Sequence, residues 1–258
     1  MDELKKLRAH LDLCDEIILD ALLMRNKIIE DITIYKQDHD MKIVQPKREE
    51  KRRKNLVKRM KGADHQDLIL EVFDTIVLNG KKIQSSTLFD SNIVLIGFMG
   101  CGKTTISKTL KKMFAMEVIE MDQVIAEQEG MSIPEIFEIH GEEYFRNAET
   151  KLLIDMQDRK NVVISCGGGT AMRDVNVAEM KKNGKVVLLT AEPETVLERV
   201  KNSHDRPLLE NNKTVEFIAE LMNKRRAKYE AAADIIIHTD NKSAFQICEE
   251  IIARVREA

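Results

Sequence analysis

A chain of 258 residues with 43% hydrophobic and 33% charged side chains has the length of two domains or one large one. Its 41 Lys and Arg nearly balance 44 Asp and Glu, which builds no basic field for a nucleic-acid backbone, and no apolar run approaches the roughly 18 residues of a membrane span. Cys14, Cys101, Cys166 and Cys248 lie far apart without a CxxC pair, against a disulfide framework or a zinc site, and the charged opening Met-Asp-Glu-Leu-Lys-Lys completes the expectation of a soluble cytoplasmic protein with no nucleic-acid and no membrane partner.

From the N-terminus, Leu4, Leu7, Leu11, Cys14, Ile18, Ala21, Ile28 and Ile32 follow alternating steps of three and four, broken only where Arg25 takes an apolar position. The pattern predicts one amphipathic helix from residue 2 to about 38, roughly 54 Å long. Such a rod is too long to bury its stripe within its own domain, and the expectation is an intertwined homodimer through this helix. Pro46 starts a second helix, whose charged run Lys47 to Lys61 stops at Gly62. A third, Asp67 to about Ile83, sets Leu68, Ile69, Val72, Phe73, Ile76 and Val77 on one face, and Gln84-Ser85-Ser86-Thr87 reads as a linker. Residues 1–88 are therefore expected to be an all-α, three-helix domain. Pro46 is the first proline and Gly62 the first glycine, whereas ten of the eleven glycines lie from Gly80 onward.

After Asp90 the pattern changes to short β-branched runs between helical segments: Ile93 to Ile96, Glu117 to Ile119, Val162 to Ser165, Val186 to Leu189 and Ile235 to His238. This βαβ alternation predicts a doubly wound parallel sheet with helices on both faces, an α/β domain over residues 91–258. Behind the first strand, Gly97-Phe98-Met99-Gly100-Cys101-Gly102-Lys103-Thr104 matches GxxxxGK[ST] between a predicted strand and a predicted helix, the setting of a P-loop. A nucleotide phosphate is the expected ligand of Gly100, Cys101, Gly102, Lys103, Thr104 and Thr105, that of ATP by the resemblance given next: backbone N–H groups close on the phosphates, Lys103 reaches the β- and γ-phosphates, and the Thr104 hydroxyl ligates Mg2+.

The motifs that follow resemble the shikimate kinases. They are Asp122 after the second strand, Phe145-Arg146-Asn-Ala-Glu149, Cys166-Gly167-Gly168-Gly169-Thr170, Asp205-Arg206-Pro207-Leu208-Leu209, and Arg225 four before Tyr229. The resemblance implies that Lys103 and Asp122 are catalytic, Asp122 holding the acceptor hydroxyl as, or orienting, the base. It implies that Arg146 and Arg225 clamp the shikimate carboxylate, a planar guanidinium matching a carboxylate bidentately. Gly167, Gly168 and Gly169 would complete the shikimate site, Gly168 offering its N–H at close approach, and Arg206 would close over the ATP phosphates. The family usually has Asp-x-Asp at the second strand end; here Glu120-Met121-Asp122 leaves Glu120 to meet Mg2+ through a water. A kinase for a gluconate- or nucleotide-type acceptor is the rival, disfavoured by the paired arginines and the glycine triplet.

In the helical part, Lys36 returns eleven residues after Arg25 to nearly the same face, and two cations on one stripe want an anion. Leu7-Arg8, Arg25, Lys36, Pro46-Lys47-Arg48-Glu49-Glu50 and Gln84 resemble the all-helical chorismate mutases, which are intertwined dimers. The resemblance implies that Arg25 and the partner's Arg8 bind the two chorismate carboxylates with Arg48 nearby, that Glu49 takes the hydroxyl, and that Lys36 and Gln84 act catalytically on the ether oxygen. A unimolecular rearrangement to prephenate requires no cofactor in this half. Gln45 stands where an aspartate is usual and Gly80 where a serine is common. The reading is a bifunctional enzyme of aromatic amino-acid biosynthesis; its rival keeps the kinase and makes residues 1–88 an inactive dimerisation or chorismate- or prephenate-sensing module.

Overall fold

The computed structural model describes residues 2–39, 41–201 and 214–257, and it divides into two compact units, Met1–Leu88 and Phe89–Ala258.

The first unit is three helices, α1 (Asp2–Asp38), α2 (Pro46–Arg59) and α3 (Gln66–Leu88). Pro46 occupies the first turn of α2, where its missing N–H would have had no partner, with Glu49 at the positive end of the helix dipole and Lys58 and Arg59 at the negative end. The third helix differs from the expectation at its end. Residues 84–87, read as a linker for their polarity, continue α3 to Leu88. The hydroxyls of Ser86 and Thr87 fold back onto the Lys82 and Ile83 carbonyls, and Ser85 is fully buried, so polarity here decorates a helix instead of ending it.

α1 packs against α3 through its C-terminal part, where Thr33 and Lys36 are buried. Its N-terminal stripe is bare: Leu7 is 60% and Leu11 61% exposed. Ile43 is the one buried hydrophobic side chain among the described residues of this unit.

The second unit is a five-stranded parallel sheet in the order β2-β3-β1-β4-β5, formed by β1 (Asn92–Ile96), β2 (Glu117–Glu120), β3 (Val162–Ser165), β4 (Gly184–Thr190) and β5 (Ile235–His238). β1 is central and buried throughout, Val94 pairing with Ile164 on one side and Val186 on the other. Helices on both faces explain why these strands read as unbroken apolar runs. The helices are α4 (Lys103–Phe114), α5 (Met121–Glu129), α6 (Ile133–Asp155), α7 (Asp174–Asn183), α8 (Pro193–Val200), α9 (Val215–Ala232) and α10 (Ala244–Glu257). A capping box between Ser132 and Glu135 opens α6, and Gly141, at φ 81 and ψ 168, breaks it midway. β1, β2 and β3 all deliver their following loops to the carboxyl edge of the sheet, the edge where open α/β folds bind ligands.

Candidate functional site

The turn from β1 into α4 takes positive φ at Gly97, Gly100 and Gly102. A Cβ on Gly97 would run into the Leu189 carbonyl of β4, and one on Gly100 would press on Val196 and Val200 of α8. Gly102 caps α4 without a side-chain hydrogen bond, which leaves the helix N-terminus open to an anion. Lys103 Nζ donates to the Gly97 and Phe98 carbonyls at 2.8 and 3.2 Å, so the ammonium is held across the loop. Beside it, Thr104 Oγ1 donates to Glu120 Oε2 at 3.2 Å, and Ser107 Oγ to Glu120 Oε1 at 2.5 Å. A hydroxyl and a carboxylate side by side are hard oxygen donors, and this pair fits Mg2+, which keeps few protein ligands and completes its octahedron with water and phosphate.

Sequence reasoning missed Arg199. From the short helix α8 its Nη1 donates to the Gly100 carbonyl at 3.2 Å and to Thr239 Oγ1 at 3.0 Å, tying the P-loop to the segment after β5. No motif marks it. Arg206 lies outside the described residues.

A second cluster is organised by the glycine triplet after β3. A Cβ on Gly167 would stand 2.7 Å from Asp122 Oδ1 and 3.0 Å from Glu149 Oε1, and one on Gly169 would fall inside the Arg146 guanidinium. For Gly168 the nearest atoms would be 3.9 Å away, among them Arg225 Nη1 and the P-loop's Gly97 carbonyl. The requirement for a missing side chain, expected at Gly168, therefore falls on its two neighbours. Gly168 contributes its carbonyl, which accepts from Arg225 Nη1 at 3.2 Å and from the Tyr229 hydroxyl at 2.5 Å. Asp122, Arg146, Gly167, Gly168, Gly169 and Arg225 thus meet around one turn that also borders the P-loop.

Glu149 and Tyr229 belong to the motifs without a task assigned from sequence, and the geometry supplies one. Glu149 is fully buried and accepts from Arg146 Nη1 at 2.8 Å and from the Thr170 hydroxyl. Burial pushes its carboxyl up, the Thr170 and Arg146 bonds offsetting this only in part. Burial alone would lower Arg146, but the Glu149 and Glu142 carboxylates outweigh it and hold the guanidinium above its ordinary value. Glu149 takes the inner edge of Arg146, and the exposed Glu142 takes Nε and Nη2 at 3.1 and 2.9 Å. Burial of the Tyr229 hydroxyl raises it to about 12, so it remains a donor to Gly168.

The helical unit carries its own site, a cavity of about 180 Å³ lined by Arg25, Lys36, Arg48, Glu49, Gly80 and Gln84 among others. Lys36 is buried and donates to the Ile43 carbonyl at 2.7 Å. Burial, with Arg48 nearby and Glu49 opposing, holds its ammonium below the ordinary lysine range. Arg25 is lowered by burial and by the charge of Arg52, and its Nη1 is buried without a hydrogen-bond partner. A buried, unsatisfied guanidinium nitrogen marks a place for an anion.

A Cβ on Gly80 would lie 2.8 Å from Ile29 Cδ1 and 3.2 Å from Arg25 Nη1, the ends of two flexible side chains, so glycine leaves them room at the cavity wall. Arg52 and Lys81 also line the cavity, and Lys81 Nζ pairs with Glu49 Oε2 at 3.0 Å. Neither stood out in sequence. Arg8, on the exposed part of α1, does not line this cavity.

The shikimate kinase family model matches residues 99–256, more than half of the chain. The chain belongs to the shikimate kinase family. A second model, chorismate mutase type II, matches residues 7–85, so both domains are present on one chain. Curated relatives include the shikimate kinase of Persephonella marina, 43% identical over 165 residues that make up 64% of this chain and 99% of the relative. That of Dehalococcoides mccartyi is 41% identical over 167 residues, 65% of this chain and 94% of the relative. Among solved structures, shikimate kinase from Acinetobacter baumannii in complex with shikimate superposes with a TM-score of 0.62 at 31% identity, covering 67% of this chain and 96% of the other. Shikimate kinase from Aquifex aeolicus gives 0.56 at 36% identity, covering 64% and 95%. No described helix is long and apolar enough to cross a membrane.

Proposed function

We propose that the second unit phosphorylates shikimate at the expense of ATP and that the first rearranges chorismate to prephenate, making the chain a bifunctional enzyme of aromatic amino-acid biosynthesis. The observation that carries the kinase half is the glycine turn, which sets Asp122, Arg146 and Arg225 around one point bordering the P-loop. Shikimate's carboxylate would displace Glu142 from the outward edge of Arg146 and meet Arg225 opposite, while Glu149 keeps the inner edge fixed. That anchorage turns one ring hydroxyl toward Asp122, which takes its proton as the oxygen attacks the γ-phosphorus. Lys103 leaves its two carbonyls for the phosphates. Thr104 and Glu120 would hold Mg2+, which when bound neutralises charge on the β- and γ-phosphates.

The Gly169→Ala variant tests the clamp. Its methyl cannot coexist with Arg146 in the present position, so KM for shikimate is expected to rise by about tenfold or more while KM for ATP stays within about twofold. Steady-state kinetics with each substrate varied in turn would check this.

In the mutase half, Arg25 would meet one carboxylate, and Lys36 and Gln84 the ether oxygen, selecting the compact conformer and stabilising charge as the C–O bond breaks. The bare stripe of α1 and the single buried apolar side chain among the described residues of the unit support a homodimer, in which the partner's Arg8 completes the site.

The test is purified full-length protein assayed separately for chorismate loss and for shikimate-dependent ADP release, with its mass measured by sedimentation. Both activities and a dimer are expected. Chorismate bound but left unconverted would leave a sensing module in place of the mutase; ADP release indifferent to shikimate would remove the acceptor assignment; a monomer would remove the dimer.

A further inference from the structure

Glu120 is one methylene longer than the aspartate usual at its position, and the extra torsion would let its carboxylate wander from the metal site unless something fixed it. Ser107 is in place to do so. It is fully buried on α4, one turn after Thr104, and its Oγ stands 2.5 Å from Glu120 Oε1 while Thr104 Oγ1 stands 3.2 Å from Oε2. One carboxylate thus spans two hydroxyls on the same face of the helix. Ser107 Oγ also lies 3.0 Å from the Thr104 carbonyl, the ordinary back-bond of a helical serine. A hydroxyl has one proton, and the charged, closer carboxylate is the stronger acceptor.

We infer that Ser107 is a positioning residue of the metal–nucleotide site, pinning one oxygen of Glu120 so that the other is presented beside Thr104. The inference rests on the kinase reading. Mg2+ demands near-ideal octahedral geometry, so a carboxylate that meets it, directly or through water, must be held to a fraction of an ångström.

Binding of Mn2+·ADP, followed by electron paramagnetic resonance of the Mn2+ and by calorimetry without shikimate, tests this on full-length protein in a double-mutant cycle. Ser107→Ala is expected to raise the dissociation constant of Mn2+·ADP about tenfold, with metal-free ADP in chelator unchanged within about twofold. On a Glu120→Asp background, where the shorter acid no longer needs the anchor, the same substitution is expected to cost less than about twofold. Three results would overturn the inference: no loss of Mn2+·ADP affinity in Ser107→Ala, an equal loss on both backgrounds, or an equal loss for metal-free ADP, the last two meaning that Ser107 merely supports the helix. Wild-type protein that bound no Mn2+·ADP would overturn the kinase reading as well, so the two failures are told apart.

Discussion

Replacing Lys36 by methionine is expected to lower the rate of chorismate rearrangement by about a thousandfold while leaving shikimate-dependent ADP release unchanged. Lys36 is the buried cation of the helical cavity, its Nζ donating to the Ile43 carbonyl, and a methionine fills the same volume with nothing to donate. A donor aimed at charge that develops only in the transition state acts on kcat, so the loss should appear there and less in KM. Folding should change little, because the lost donor to the Ile43 carbonyl is offset by the loss of a poorly solvated charge. The protein holds this ammonium below its ordinary value chiefly by burial, so protonation is favoured in the unfolded chain, and removing the charge removes a penalty.

The pH dependence follows with a definite sign. On the role proposed for Lys36, the rearrangement requires its protonated form and should fade as pH rises through its lowered folded value, before a free lysine would titrate. The same group's contribution to stability moves the other way, improving as pH rises through that window because the folded state sheds the proton first. Initial rates of chorismate loss across the alkaline range, beside thermal melts of both proteins, would show the opposing trends. A methionine variant retaining a tenth or more of wild-type kcat would remove Lys36 from the catalytic role.

Asp122→Asn is the complementary substitution. Shikimate-dependent ADP release is expected to fall by a factor of about 10² to 10⁴, the range supplied by a positioned general base, with chorismate turnover untouched. Asparagine has nearly the same shape, so the approach to Gly167 and the start of α5 are preserved. Shikimate affinity should change little, because the substitution leaves Arg146 and Arg225, the proposed carboxylate clamp, in place. Single-turnover measurement of phosphoryl transfer with both substrates saturating isolates the step. A rate within tenfold of wild type would mean that Asp122 orients the hydroxyl and another group accepts its proton.

The sheet was legible in the sequence because parallel strands buried on both faces have no choice but to be apolar, and β3 and β5 fall at the residues their runs indicate. The P-loop was legible because three positive-φ positions in one turn admit little besides glycine. Side-chain polarity was a poorer guide: residues 84–87 read as a linker, yet their hydroxyls satisfy themselves on the helix and carry Gln84 to the cavity wall. Within the glycine triplet the pattern could not say which glycine is sterically required, since that depends on where Asp122, Glu149 and Arg146 arrive from other elements. Arg199, Arg52 and Lys81 were invisible for a related reason, because an arginine or lysine on a charged helix has no local mark that distinguishes one lining a cavity or tying a loop from one that meets only solvent.

Ile43, alone as a buried apolar side chain among the described residues of its unit, has a consequence for how the two proposed activities respond to dilution. On the dimer proposed above, a unit without an interior of its own would gain its hydrophobic stabilisation from association, and its folding and its assembly would be one bimolecular equilibrium governed by mass action. The sheet unit, with an interior closed within the single chain, obeys a unimolecular one. Far below the dimer's dissociation constant, the amount of protein in solution would then act as a selector, thinning out the rearrangement with the second power of concentration while phosphoryl transfer falls only with the first.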